Sequence, residues 1–209
     1  MNRTIYQWTV GLWVVGMCLL LSSCLKEGGG RIVLPVRAAD IPTEVLAEAE
    51  RLLVEEYMPI YTGDTPPAVS GCFTVAPERL VWASDSVEGS FFDFHFCLDG
   101  HNFWNRINYT YRQGTAEGEG DVPWIIGEDD KFTLWLEDRS VDAIAGWSSR
   151  TVTVLSGRWR EADSSIADCR VAVLMREKRD AHGMLAAPGC LRIFADGDRR
   201  THRAEEGSL

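Results

Sequence analysis

Six cysteines and four histidines are the side chains of this 209-residue chain best equipped for chemistry. Cys24 has the most pointed surroundings. It follows an uncharged, mostly apolar run from Trp8 to Leu21 and the two small residues Ser22 and Ser23. Small side chains ahead of a cut let an extended backbone enter a peptidase, and a thiol just behind it can carry a lipid as a thioether. Cys72, Cys97, Cys169 and Cys190 follow neither C-x-x-C nor a Cys/His spacing of zinc type. His95 lies two residues from Asp93 and His101 sits in an Asp-Gly turn, but no H-E-x-x-H, G-x-S-x-G or phosphate-binding glycine loop accompanies them. The acidic groups at residues 128–130 and 196–198 lack the ligand count of a defined calcium loop. The sequence therefore supplies no catalytic residue, no metal site and no cofactor motif.

These residues must be placed on elements. The run from Trp8 to Leu21, preceded by Arg3, is shorter than the roughly 20 residues of a membrane span and suits a secretory signal. Leu21-Ser22-Ser23-Cys24 resembles the lipobox of bacterial lipoproteins. The resemblance implies removal of residues 1–23, acylation of the Cys24 sulfur and amino group, and attachment to a membrane by two or three acyl chains, which hold far longer than one. Residues 24–40 then form a tether, Gly-rich over 28–30. No Asp follows Cys24, which favours the outer membrane and leaves the periplasmic or surface face open. With Cys18 removed and Cys24 acylated, four cysteines remain, allowing three pairings. Cys72 and Cys97, both in the outward phase of predicted strands, are the candidate disulfide, and buried free thiols are the alternative.

Residues 41–62 carry one amphipathic helix. Pro42 suits its first turn, Leu46, Ala49, Leu53 and Tyr57 recur at helical spacing, and Pro59 stops it. Beyond Thr62 the apolar period changes to two. In 103–112, Phe103, Ile107, Tyr109 and Tyr111 oppose Arg106, Asn108, Thr110 and Arg112; in 91–98, Phe92, Phe94, Phe96 and Leu98 oppose Asp93, His95 and Cys97. Asp99-Gly100 between them is a hairpin signal. Further strands are expected at 69–75, 80–84, 124–126, 132–137, 143–147, 151–159, 167–176 and 190–195, with the glycines of 113–121 serving as a bend or bulge. Many short antiparallel strands with one apolar face point to a mainly β domain over 63–198, an up-and-down barrel in preference to a sandwich, followed by a frayed polar tail at 199–209.

Pro66, Pro67, Val69, Gly71 and Phe73, together with Phe194 and Asp196-Gly197-Asp198, are similar to motifs of uncharacterised lipoproteins of the Bacteroidales. In that group a lipobox is followed by a helix and a lipocalin-like β-barrel, and the resemblance implies this architecture here without assigning any catalytic residue. Asp85-Ser86-Val87 resembles the short O-glycosylation motif of Bacteroidetes, which makes Ser86 a candidate acceptor. Trp104 and Trp135 fall out of phase with the apolar side of their strands and are candidate exposed aromatics for stacking on a sugar or a protein partner. The formal net charge is −10, and removal of residues 1–23 takes away only Arg3, leaving −11. A field of that sign excludes nucleic acid and electrostatic membrane binding. The expected protein is a non-enzymatic, lipid-anchored envelope module that binds a small apolar or glycan ligand, or serves as a scaffold subunit with a filled barrel.

Overall fold

The computed structural model describes residues 57–204, Glu88 apart. The expected signal segment 1–23, the Leu21-Ser22-Ser23-Cys24 motif, the expected tether and most of the helix expected over 41–62 lie outside the described residues. Residues 58–62 of that segment run as irregular chain.

Ten antiparallel strands make one sheet: β1 (Gly71–Val75), β2 (Glu78–Ala83), β3 (Phe94–Asp99), β4 (Asn108–Gln113), β5 (Ala116–Glu128), β6 (Lys131–Asp142), β7 (Trp147–Arg160), β8 (Ser165–Arg179), β9 (Leu191–Asp196) and β10 (Arg200–Arg203). Neighbours from β3 to β9 follow chain order, while β1 lies between β3 and β10, and β2 pairs with β9. β10 also pairs with β8, through Arg200 opposite Ala167 and Thr201 opposite Ile166, and so closes the sheet into a ring. β8 is long enough to serve two partners. Its first residues hold β10, and 170–174 hold β9. The ring is therefore hydrogen bonded shut at one end. At the other, β9 and β2 splay away, and no ladder joins β2 to β3.

The predicted alternation places the inward faces correctly along β3 and from Ile107, just ahead of β4, into that strand: Phe94, Phe96, Leu98, Ile107 and Tyr109 are buried. They meet Phe73, Phe132, Leu134 and Val171 in the ring's interior. The opposite face of β6–β9 is apolar as well, with Trp135, Val152, Val154, Leu174 and Ile193 buried alongside Met58.

Five expectations change. Of the segment 143–147, residues 143–146 form a turn and Trp147 opens β7, because the Asp142 carboxylate accepts the backbone N–H groups of Ile144 at 2.9 Å and Ala145 at 2.7 Å, and Gly146 turns the chain at φ +74°. Of the glycines in 113–121, Gly114 turns the chain between β4 and β5 at φ +60°, whereas Gly118 and Gly120 lie within β5. A Cβ at Gly118 would overlap the Tyr111 ring, and one at Gly120 would come within 3.2 Å of the Tyr109 ring, so both glycines make room for inward aromatics. Phe103 precedes β4 and is 75% exposed. It sits in a loop where Asn102 accepts the N–H groups of Trp104 and Arg106, and this side-chain capping replaces a sheet ladder. Phe92 likewise precedes β3 and is 74% exposed. The tail expected to fray supplies β10: Thr201 is wholly buried and donates to Asp196 at 2.8 Å.

Candidate functional site

The ring's two ends differ in chemistry. Along β6, inward positions run Phe132, Leu134, Leu136 and then Asp138, Ser140, Asp142; opposite them on β7 stand Gly157, Leu155, Thr153, Thr151, Ser149 and Trp147 in turn. The apolar half fills the closed end. The polar half lines the splayed end.

Asp138 is buried, and its carboxylate accepts hydrogen bonds from the hydroxyls of Thr151 and, at 2.9 Å, Thr153. Burial pushes its pKa up to about 6, with the two hydroxyls acting in the opposite direction. Tyr111 and Ser140 share a hydrogen bond above it. Burial raises the phenols of both Tyr109 and Tyr111, and the Tyr109 hydroxyl has no hydrogen-bond partner among the described residues. From β2, Glu78 points into the same end. The Gln113 amide donates to it at 2.6 Å and also donates to the Phe92 carbonyl oxygen at 3.0 Å. Burial, assisted by the charge of Asp93, pushes Glu78 up to about 8 against the pull of Gln113. Asp142 at the rim accepts from Thr115 at 2.6 Å as well as from its own turn, and these bonds hold its carboxyl below the usual range.

Between these groups and the splayed strands lies a cavity of about 380 Å³. Phe91, Phe194, Tyr111, Val173 and Met175 form much of its wall, with Trp147 and the polar ends of Gln113, Thr151 and Ser149 completing it. Phe91 from the β2–β3 connection meets Phe194 of β9 edge to face at 4.9 Å and spans the gap the sheet leaves open. Arg192 of β9 also borders the cavity. Its guanidinium is forked by Asp85 at 3.2 and 2.7 Å.

The residues singled out from sequence fall elsewhere. Cys72 and Cys97 stand opposite each other on β1 and β3 and are joined by a disulfide. Cys169 is a buried thiol, which burial pushes up to about 12, and Cys190 is a free thiol at the cavity wall. Trp104 is 36% exposed in the β3–β4 loop, edge to face with Phe103 at 5.1 Å, at the end of those strands away from the cavity. Trp135 is out of phase as expected but buried, because the outward face of β6 is covered; it offers no stacking surface. Ser86 is exposed just after β2, while its neighbour Asp85 is held by Arg192. His95 bonds to Thr74 at 2.9 Å and His101 to Asn105 at 3.3 Å; no group of three metal-ligating side chains occurs among the described residues.

Sequence reasoning passed over Glu78, Gln113, Asp138, Asp142 and Thr151. One signal was present for Asp138 and Asp142: they keep the parity of Phe132, Leu134 and Leu136, so a period-two strand had to carry them inward.

No family model, no curated protein and no solved structure matches this chain.

Proposed function

We propose that this protein is a non-catalytic binding module that holds a small, mainly apolar ligand in the splayed end of a lipocalin-like barrel. The module is carried at the bacterial envelope, favouring the outer membrane, by acyl chains on Cys24. The cavity of about 380 Å³ carries this reading. It falls within the roughly 300–1,000 Å³ usual for small-molecule sites, and its walls combine apolar side chains with a few fixed hydrogen-bonding groups, the usual composition of such sites. Between an apolar and a glycan ligand, the aliphatic and thioether wall of Val173, Met175, Met184 and Leu185 favours the apolar one. A second reading, a scaffold subunit of an envelope complex, draws support from Phe103 and Trp104, two large aromatics exposed side by side.

Native mass spectrometry of protein purified from its own cells tests both. A discrete added mass of small-molecule size, lost in a variant with Met175→Trp filling the cavity, is the expected result. Copurification of a protein partner with no small-molecule mass overturns ligand binding and supports the scaffold. For the anchor, metabolic palmitate labelling should vanish in Cys24→Ala; persistent labelling refutes the assignment.

A further inference from the structure

We infer that the cavity selects an organic ammonium ion, an apolar cation, over neutral and anionic molecules of the same shape. This rests on the ligand-binding reading above and adds the charge of the ligand. Among the cavity-lining residues the charged ones are Asp142 and Arg192. Asp85 forks the Arg192 guanidinium at 3.2 and 2.7 Å, so that cation is already matched by an anion. Among the described residues no cation pairs with Asp142. It is satisfied by the Thr115 hydroxyl and the N–H groups of Ile144 and Ala145, which are neutral donors. Hydrogen bonds of that kind settle a carboxylate in place and leave its negative charge at the cavity rim. Behind the wall, Thr151 and Gln113 are hydrogen bonded to two more carboxyl groups, Asp138 and Glu78.

Five aromatic rings line the same space: Phe91, Phe92, Tyr111, Trp147 and Phe194. Ring faces carry negative quadrupole potential and attract ammonium groups, by about 0.5–2 kcal/mol for each good contact. Aromatic rings able to offer their faces and a carboxylate without a cation partner among the described residues act in the same direction. A fatty carboxylate, by contrast, would meet repulsion from Asp142 and find Arg192 already occupied.

Three probes of nearly one shape test this by isothermal titration of the full chain at low salt: phenyltrimethylammonium, its neutral isostere tert-butylbenzene, and 4-tert-butylbenzoate. The ammonium should bind about tenfold more tightly than the neutral probe, the fold-change corresponding to about 1.4 kcal/mol. The benzoate should bind more weakly than either. Asp142→Asn keeps an oxygen for the turn's N–H groups and removes the charge, so it should cut the ammonium preference to about threefold or less. Phe92→Ala, at a side chain 74% exposed, should weaken the ammonium more than the neutral probe. Equal or tighter binding of tert-butylbenzene, or a preference unchanged in both variants, overturns the inference while leaving a ligand cavity in place. Failure of all three probes to bind overturns the ligand-binding reading with it.

Discussion

Raising the pH from 5 to 9 should destabilise this protein, and Glu78→Gln should remove a large part of that loss. Glu78 is buried at the splayed end of the ring, with one amide donor, Gln113, and no cation against it among the described residues. Its pKa moves from an ordinary 4.5 to about 8. Below the ordinary value the carboxyl is protonated in both the folded and unfolded states. Between that value and about 8 the unfolded chain gives up a proton that the folded one keeps, so the unfolded state binds fewer protons and stability falls as pH rises. A shift from 4.5 to about 8, at about 1.4 kcal/mol per unit, sets a ceiling near 5 kcal/mol. Water reaching the carboxylate through the open end reduces this, and about 2–4 kcal/mol is the expected loss. Asp138, raised to about 6, contributes in the same direction but is largely spent by pH 6.5, so the interval from 6.5 to 8 reports Glu78. Glutamine reproduces the protonated carboxyl in shape and can still accept the Gln113 N–H. Urea denaturation at half-unit pH steps provides the assay. The wild-type curve should fall through the neutral range while the variant's runs flatter, and the variant should be the more stable protein at pH 8.5. Curves that stay parallel within about 0.5 kcal/mol from pH 5 to 9 would refute the burial argument.

Gly118→Ala should destabilise the protein by about 1–3 kcal/mol, since its Cβ overlaps the Tyr111 ring on the neighbouring strand; thermal melting reads this, and an unchanged Tm would show that the ring moves freely. Thr153→Val removes a donor from buried Asp138, so it should cost about 1–3 kcal/mol above pH 7 and clearly less at pH 5, where the carboxyl is protonated; a cost independent of pH would contradict the assigned role of that bond. Replacing Cys72 and Cys97 together by Ser opens a link between residues 25 apart and should cost about 3 kcal/mol in denaturant; no difference between variant and wild type under oxidising conditions would mean the link does not form.

The alternation of Phe94, Phe96 and Leu98 and of Ile107, Tyr109 and Tyr111 was legible because side chains on a strand change face at every residue, a local rule that needs no partner. The same rule carried the inward parity of Asp138 and Asp142, although three apolar positions earlier in the strand drew attention away from them. Turns set by side chains were harder to read. Ala143–Trp147 looks like strand until the Asp142 carboxylate is seen capping the amides of Ile144 and Ala145, and a capped turn competes with a ladder on nearly equal terms.

What no local rule contains is pairing between distant segments. Arg200–Arg203 has no apolar face to mark it as strand; it becomes one because β1 on one side and β8 on the other supply the backbone partners that close the ring. β2 follows β1 in the chain yet pairs with β9, and the gap left between β2 and β3 creates the cavity. The sequence by itself determined which class of sheet forms, which residues alternate across it, and the acidic character of the whole. The tertiary structure alone decided where the ring closes, where it stays open, and that Glu78, Asp138 and Asp142 gather at the open end. The physical reason is that alternation is encoded residue by residue, whereas closure and burial are set by contacts between segments far apart in the chain.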